Sequence, residues 1–206
     1  IDGAPHTEAD LRASLGLAPD ANVIGTIGAL VGHKDHATLV DGFARLAAQR
    51  PDTHLVIVGE GKRRPQLEAQ IAAANLGARI HLVGWRSDAP SWLRVFDVFA
   101  FTSREEGLGT SVIDAMAARL PVVATRAGGI PELLDDGVEG RLVPPADPEA
   151  LAQALQATLA DPTAARAQGE AGRRRVEARL TADRTADATL AAYERVLERR
   201  RREART

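Results

Sequence analysis

Short apolar segments alternate with amphipathic segments along most of this chain. Strands of about five apolar residues between helices are typical of βαβ units, whose parallel sheet is covered on both faces. The right-handed crossover rule then favours a doubly wound, Rossmann-like α/β fold with about six parallel strands and helices on both faces. The predicted strands are Asn22–Leu30, His54–Val58, Arg79–Val83, Asp97–Phe101, Pro121–Thr125 and Gly140–Val143.

Helical spacing of apolar residues predicts the helices that connect these strands. Beyond the last strand, Asp147-Pro148-Glu149 has the residue types of a helix start, with Asp as the N-cap. Two further helices follow it, so the sheet carries extra C-terminal helices. The predicted helices are His36–Gln49, Pro65–Leu76, Ala89–Val95, Thr110–Arg119, Ile130–Leu134, one that begins at Asp147, Thr163–Leu180 and Ala182–Arg205.

Composition excludes several classes of protein. The 206 residues include 26 basic and 28 acidic residues and no Cys, with a net charge of −2. This balance excludes a globally basic nucleic-acid binder, and the missing cysteines exclude disulfide frameworks and thiolate metal sites. No apolar run approaches the roughly 18–20 residues of a membrane span, and no signal peptide opens the chain. We therefore expect a cytoplasmic protein, and the start at Ile1 rather than Met predicts a fragment or a processed product.

The charge run Arg199–Arg202 ends the last predicted helix. Cations at a helix C-terminus are favoured by the helix dipole, so a solvated helix end is the preferred interpretation. A nucleic-acid arm or an anionic-membrane arm is the alternative. No interleaved aromatic residues support the first, and no strong amphipathic face supports the second.

The first predicted strand is followed by a glycine-containing loop with a cation. Gly28–His36 includes Lys34, one of only two lysines in the chain, and a lysine in such a loop suits a phosphate. The loop lacks the Gly-Lys-Ser/Thr of a P-loop, and His33 and His36 lack a third metal ligand. Gly59-Glu60-Gly61, after the second strand, is an incomplete dinucleotide fingerprint.

The loop Ser103–Ser111 carries the strongest functional signal. Gly107 and Gly109 let backbone N–H groups approach an anion, and Thr110 and Ser111 begin a helix whose positive end points at the same place. This pattern predicts a phosphate cradle. The neighbouring carboxylates of Glu105 and Glu106 suit sugar hydroxyls. The alternative interpretation of the whole loop is a capped helix start with acidic residues on the surface.

Together these motifs resemble the donor-binding signature of family 4 retaining glycosyltransferases. The resemblance implies a GT-B fold, of which this chain is the C-terminal half. Residues 1–181 would form the nucleotide-sugar (donor) binding domain, Ile1-Asp2 would end an interdomain linker, and residues 182–206 would return to an N-terminal acceptor domain. The motifs are Glu106-Gly107-Leu108-Gly109, Asp114-Ala115-Met116-Ala117, Pro121-Val122-Val123-Ala124, Gly128-Gly129-Ile130-Pro131-Glu132, Gly137, Gly140 and Val143-Pro144, with Gly28, Lys34 and Ile57-Val58-Gly59-Glu60-Gly61 in the earlier loops.

The resemblance also implies residue roles. Glu106 would hold hydroxyls of the transferred sugar, Asp114 the ribose hydroxyls, and Lys34 the diphosphate leaving group. Trp85 and Arg86 would border the base. The other expected donor-binding residues are Gly28, Gly107, Leu108, Gly109, Thr110 and Ser111.

The sequence departs from the family pattern at three places. Ala29 replaces an Arg, Asp114 replaces a Glu, and Thr110-Ser111 replaces a more common apolar-Pro pair. The first two put the strength of donor binding in question.

The implied reaction is sugar transfer with retention of configuration, from a nucleotide diphosphate sugar to an acceptor. No metal, other cofactor or nucleic-acid partner is expected, and the isolated fragment is not expected to turn over. The donor base, the donor sugar and the acceptor stay open. Peripheral membrane contact of the full-length protein, at the inner membrane face, also stays open, because relatives act on lipid-linked acceptors.

Three other classes of protein compete with this interpretation. A dinucleotide enzyme would need a complete glycine fingerprint, which Thr26–Gly32 does not provide. A non-catalytic nucleotide-sugar-binding or scaffold domain survives, because Ala29 and Asp114 are departures of the kind expected from decay. A partner-binding module formed by the polar helices from Thr163 onward is less favoured than packing on the absent half.

Overall fold

The computed structural model describes residues 7–203, so Ile1-Asp2 lies outside the described residues. Six strands and nine α-helices alternate along this part of the chain. The strands are β1 (Asn22–Ile27), β2 (Thr53–Val58), β3 (Ile80–Gly84), β4 (Val98–Phe101), β5 (Val122–Thr125) and β6 (Gly140–Val143). The helices are α1 (Glu8–Ser14), α2 (His36–Ala47), α3 (Arg64–Ala73), α4 (Ala89–Trp92), α5 (Thr110–Ala117), α6 (Ile130–Leu133), α7 (Pro148–Ala160), α8 (Pro162–Arg179) and α9 (Ala182–Glu203).

The six strands form one parallel sheet in the order β3-β2-β1-β4-β5-β6. The chain runs outward from β1 to β3, then returns to the centre and places β4 beside β1. This reversal is the topological switch point of a doubly wound fold, where ligands bind beyond the carboxyl ends of the strands. The predicted fold class and the number of strands are therefore confirmed.

Both faces of the sheet are buried, which explains why the strands are continuous apolar runs. In β1, Val23 belongs to one hydrophobic cluster and Ile24 to the other. In β2, Val56 faces the first cluster and Ile57 the second. Alternate side chains point to opposite faces, so helices on both faces must cover each strand.

Local sequence signals place several of the helix starts. The Asp147 side chain accepts a hydrogen bond of 2.9 Å from the Ala150 N–H, which confirms the predicted N-cap of α7. Asp161 caps α8 in the same way, through the Ala164 N–H. Helix α1 was not predicted from the sequence; it begins with a capping box between Thr7 and Asp10.

The C-terminal helices differ in their contacts. Helix α8 packs on α5, where a side chain at Gly172 would meet Met116 at 3.4 Å. In contrast, α9 leaves large apolar side chains exposed at Leu190, Tyr193, Val196 and Leu197. The predicted end of α9 at Arg205 lies outside the described residues. No helix within residues 7–203 is long and apolar enough to cross a membrane.

Candidate functional site

Two loops meet where β1 and β4 lie side by side at the centre of the sheet. The loop after β1 carries Lys34 within a short 3-10 turn, Gly32–Lys34, that leads into α2. The loop after β4 carries Glu106 and leads into α5. Because both strands are parallel, both loops leave the carboxyl edge of the sheet, and the fold brings residues 72 positions apart into contact.

The side chains of Lys34 and Glu106 form an ion pair. The Lys34 Nζ donates a hydrogen bond to Glu106 Oε2, and the two side chains are only 19% and 15% exposed. The Lys34 ammonium also lies 5.0 Å from the centroid of the Phe101 ring. Ser103 Oγ donates a 3.4 Å hydrogen bond to the same carboxylate oxygen. These contacts hold both charges at the switch point.

The environment of Glu106 keeps its carboxylate ionised. Burial by itself raises the pKa of this group, but the hydrogen bond and the charge of Lys34 lower it more, and Ser103 adds to this effect. The pKa therefore lies below its ordinary value. An ionised carboxylate accepts hydrogen bonds from hydroxyl groups, which is the role expected of Glu106 from the sequence.

The loop after β5 fixes the backbone around Glu106. The Gly129 N–H donates a 3.0 Å hydrogen bond to the carbonyl oxygen of Glu106. Gly128 has φ +52°, and a Cβ there would lie 1.9 Å from the same oxygen. A side chain at Gly128 would therefore displace the Glu106 loop. Gly107, by contrast, faces open space, so its backbone is accessible to a ligand.

The N-terminus of α5 points at this site without a side-chain cap. Its N-cap residue is Gly109, with φ +63°, and no side chain accepts a hydrogen bond from the first turn. A Cβ at Gly109 would lie 2.5 Å from Ile130 Cδ1, so the positive φ and the close packing of α6 both favour glycine here. The first N–H groups of a helix have no partner inside it, and the helix dipole favours an anion. The α5 N-terminus, at Thr110 and Ser111, can thus bind a phosphate group.

Two cavities adjoin these groups. One, of about 520 Å³, is lined by Glu106 and its neighbours: His33, Arg104, Glu105, Gly107 and Gly128. The other, of about 740 Å³, lies between α5 and the first half of α9, and Leu108, Thr110 and Asp114 are part of its lining. Partial burial raises the pKa of Asp114 above its ordinary value. The predicted sugar-binding and ribose-binding acids therefore line different cavities on either side of the α5 N-terminus.

Arg86 lies after β3, two strands away from β1. Its guanidinium pairs with Asp88 at 2.8 Å and lies 5.8 Å from the centroid of the Trp92 ring. Trp85 is 74% exposed. Within residues 7–203 these contacts do not join Arg86 to Lys34 or Glu106, so its expected place beside the base stays a prediction.

The remaining residues of the first loop offer no further lysine or arginine and form no metal-binding cluster. A Cβ at Gly28 would meet no atom within 4 Å, but the Gly28 N–H already donates a 3.0 Å hydrogen bond to the carbonyl oxygen of Val58. Ala29 is exposed and offers no cation. Of the two histidines, His33 is exposed and His36 is buried. Among residues 7–203, no three His, Asp or Glu side chains are grouped so that they could hold a metal ion.

Two residues that the sequence analysis did not assign to the site stand beside the ion pair. Asp35 is buried next to Lys34, and its carboxylate accepts a 2.7 Å hydrogen bond from Arg104 Nε. Arg104 lies two residues before Glu106. The available sequence signal was the position of Asp35 directly after Lys34. Its partner, Arg104, could be identified only in the folded chain.

Solved structures with this fold include nucleotide-bound proteins. The Anabaena protein Alr3699/HepE, crystallised with UDP and glucose, matches with a TM-score of 0.78 and 27% identity over 85% of this chain and 48% of that one. The C-terminal domain of the group 1 glycosyl transferase LpcC from Francisella tularensis matches with a TM-score of 0.76 and 25% identity, over 87% of this chain and 95% of that domain. The fold is thus the Rossmann-like half of a GT-B protein.

Residues 7–175 match the family model of the glycosyl transferases group 1. The D-inositol 3-phosphate glycosyltransferase of Jonesia denitrificans is 36% identical over 200 residues, which cover 92% of this chain and 47% of that protein. The chain therefore belongs to the glycosyl transferases group 1 family, as the sequence resemblance predicted. It spans about half the length of the relatives it matches.

Proposed function

We propose that this chain is the half of a retaining glycosyltransferase that binds a nucleotide diphosphate sugar. The observation that carries the proposal is the Lys34–Glu106 ion pair beside the uncapped N-terminus of α5, at the switch point of the sheet. A cation and a helix N-terminus suit a diphosphate, and a carboxylate beside them suits sugar hydroxyls. The UDP bound to the structurally similar Anabaena protein supports the same class of ligand.

Each proposed role follows from a group's chemistry and position. Lys34 and the backbone N–H groups of the α5 N-terminus neutralise the diphosphate. Glu106 accepts hydrogen bonds from hydroxyls of the transferred sugar. Asp114, in the larger cavity, binds the ribose hydroxyls. We place the backbone of Gly28 and of Gly107–Gly109 beside the phosphates and the sugar, and Arg86 beside the base.

The proposed reaction moves the sugar with retention of its anomeric configuration. Charge builds up on the diphosphate as its bond to the sugar breaks, and preorganised cations and N–H groups stabilise that charge. The leaving phosphate oxygen takes the proton of the attacking acceptor hydroxyl, so no protein nucleophile is needed. We propose that the reaction also needs no metal ion or other cofactor, because Lys34 and α5 supply the positive charge.

The acceptor is proposed to bind through a second domain, N-terminal to this one. Residues 1–181 would be the donor domain, and residues 182–206 would return to the acceptor domain. The large apolar side chains of α9, from Leu190 to Leu197, support this arrangement, because they are 52–65% exposed within the described residues. We propose that the full protein acts in the cytoplasm, with a sugar, lipid or small-molecule acceptor. A lipid acceptor would bring it to the inner membrane face.

A non-catalytic donor-binding or scaffold domain is the second candidate function. It is favoured by Ala29, which leaves the first loop without a second cation, and by Asp114, which is one methylene shorter than Glu. Both changes weaken contacts to a donor. Nucleotide titration separates a donor-binding chain from a scaffold that binds no nucleotide.

Calorimetric titration of the chain with UDP and with GDP tests the proposal. We expect micromolar binding of one nucleotide, strongly weakened but still measurable in Lys34→Ala. Glu106→Ala should remove the additional affinity that the sugar contributes when UDP-glucose or GDP-mannose replaces the nucleotide. Lys62→Ala is the matched control, since Lys62 is the other lysine and lies outside both cavities. If the unchanged chain binds neither nucleotide, the scaffold function is favoured. If Lys62→Ala weakens binding as much as Lys34→Ala, the assignment of Lys34 to the donor site is wrong.

A further inference from the structure

Asp35 combines two unusual features at the junction between the Lys34 loop and α2. It adopts a left-handed conformation, with φ 47° and ψ 45°, which residues other than glycine rarely occupy. Its side chain is also only 5% exposed. Burial of an acid in this conformation costs free energy, so the position is maintained only because strong contacts hold it.

Those contacts lead directly to the loop that carries Glu106. One carboxylate oxygen of Asp35 accepts hydrogen bonds of 2.7 Å from Arg104 Nε and 2.7 Å from Thr38 Oγ. Burial raises the pKa of Asp35, but these hydrogen bonds and the charge of Arg104 outweigh it and lower the pKa below its ordinary value. The carboxylate is therefore ionised and paired with a residue two positions before Glu106.

Two further hydrogen bonds join the same loops. The backbone N–H of Arg104 donates a 2.7 Å hydrogen bond to the carbonyl oxygen of His33. Thr102 Oγ donates a 3.1 Å hydrogen bond to the carbonyl oxygen of Lys34. Residues 33, 34 and 35 are thus each bonded to residue 102 or 104. The connection runs beside the Lys34–Glu106 ion pair but does not include either of its side chains.

A lysine side chain needs such support to hold a defined position. It has four rotatable bonds and makes point-charge contacts that do not fix its direction. The ammonium of Lys34 can be held over Phe101 and against Glu106 only if its own backbone is fixed relative to the β4–α5 loop. The Asp35–Arg104 contact and its two companion hydrogen bonds provide that fixation.

We propose that Asp35 and Arg104 are positioning residues that lock the Lys34 loop to the Glu106 loop and so hold the Lys34 ammonium where it meets the donor diphosphate. The inference rests on the proposed function for the diphosphate and adds two residues that act through Lys34. Neither residue needs to touch the donor.

Asp35 and Arg104 carry opposite charges. Their substitutions therefore distinguish a positioning role from a direct electrostatic effect on diphosphate binding. Asp35→Asn removes a negative charge near the site, and Arg104→Gln removes a positive one. If they acted only through their charges, the first change would strengthen diphosphate binding and the second would weaken it. If they position Lys34, both changes weaken it. Asn tolerates the left-handed conformation, and Arg104 is 56% exposed, so both variants keep the fold.

The first test is calorimetric titration of the 206-residue chain with UDP and GDP. We expect Asp35→Asn and Arg104→Gln each to weaken binding about fivefold to tenfold, which is less than the loss of a direct hydrogen bond to a charged group because both residues act through Lys34. In a Lys34→Ala background the same changes should alter the remaining affinity less than about twofold, because coupled residues are not additive. Asp20→Asn and Arg94→Gln, which remove exposed charges far from the site, are the matched controls.

The second test reads the position of Lys34 without any ligand. With ¹³C-labelled lysine the chain gives signals from Lys34 and Lys62 alone, and Lys62→Arg assigns them. The ring of Phe101 should displace the Lys34 ε-methylene resonance from its random-coil position. Arg104→Gln and Asp35→Asn should move it toward that of Lys62, and Arg94→Gln should not.

The outcomes separate this inference from the proposed function. If the unchanged chain binds a nucleotide and Lys34 keeps its resonance in both variants, the positioning role is wrong and the donor site stands. Tighter binding in Asp35→Asn would also overturn the positioning role. If the unchanged chain binds neither UDP nor GDP, the proposed function and the inference fail together.

Discussion

Single residues at the carboxyl edge of the sheet are held by contacts from far along the chain. Lys34 and Glu106 are separated by 72 positions and each is largely buried, which would be costly for a lone charge. Their pairing offsets that cost, and the glycines of the β5–α6 loop set the backbone on which Glu106 stands. Adding a single methyl group at one of these glycines should therefore weaken nucleotide binding strongly, because it would shift the Glu106 backbone.

We expect Gly128→Ala to abolish nucleotide binding and to destabilise the chain by more than about 2 kcal/mol. The reason is that the left-handed conformation costs an L-residue about 1–2 kcal/mol, and the new Cβ would also collide with the Glu106 carbonyl. Gly137→Ala is the control, because Gly137 has φ +83° with open space around it. Urea unfolding and calorimetry measure both effects. Equal losses in the two variants would show that backbone strain, rather than the collision, is responsible.

Burial of His36 predicts a dependence of stability on pH. Burial, with a contribution from Lys34, lowers the pKa of His36 from 6.5 to about 4. The unfolded chain therefore binds a proton more readily, and stability present above pH 6.5 is lost as the pH falls from 6.5 to 4. The expected loss from this residue is about 3 kcal/mol.

Urea unfolding at several pH values, for the unchanged chain and for His36→Leu, measures this loss. The variant should lack the His36 part of the slope between pH 6.5 and 4, while His33→Leu, at an exposed position, should retain it. Parallel pH profiles for the unchanged chain and His36→Leu would contradict the prediction.

Two helices with similar leucine spacing, α7 and α9, differ in how deeply their leucines are buried. Helices α7 and α9 both carry leucines at helical spacing, but α7 packs on α2 and α9 leaves its leucines exposed. Leu151 in α7 is fully buried, and a Cβ at Gly42 of α2 would lie 2.8 Å from its Cδ2. Spacing predicts that a helix has an apolar face, but not which element covers that face.

Leu151→Ala should destabilise the chain by about 2–5 kcal/mol, because it leaves a cavity between α7 and α2. Leu190→Ala makes the same change at an exposed position of α9 and should shift stability by less than about 0.5 kcal/mol. Chemical unfolding with far-UV circular dichroism measures both. A large loss in Leu190→Ala would show that α9 is packed more tightly than its exposure indicates.

At the scale of the whole molecule, the chain spans about half the length of its relatives. It covers 47% of a 36% identical relative and nearly all of a solved C-terminal domain. The proposed donor-binding groups face the carboxyl edge of the sheet, and acceptor contacts are proposed to lie in a second domain. Binding and turnover should therefore be separable in this chain.

We expect the isolated chain to bind nucleotide weakly and not to transfer sugar, because the proposed acceptor contacts are outside it. An assay for release of nucleoside diphosphate from UDP-glucose and GDP-mannose, with and without simple sugar acceptors, measures turnover. Robust transfer by the purified chain would contradict this prediction.

The proposed neutralisation of the diphosphate by Lys34 and α5 predicts that EDTA does not change nucleotide affinity. Calorimetry before and after chelation, with added Mg²⁺ as the reverse test, checks this. A chelation-sensitive affinity that Mg²⁺ restores would show that a metal ion takes part in donor binding.

The sequence by itself determined the order of strands and helices, the parallel sheet and the loops that carry Lys34 and Glu106. These features follow from local periodicity, helix caps and glycine positions, which neighbouring residues decide. It missed α1, whose capping box was the available signal. Only the tertiary structure decided that Asp35 reaches Arg104, that Gly128 lies against Glu106 and that α9 borders Asp114. Such contacts depend on which strands become neighbours and on backbone conformation at single residues, and neither has a local pattern in the sequence.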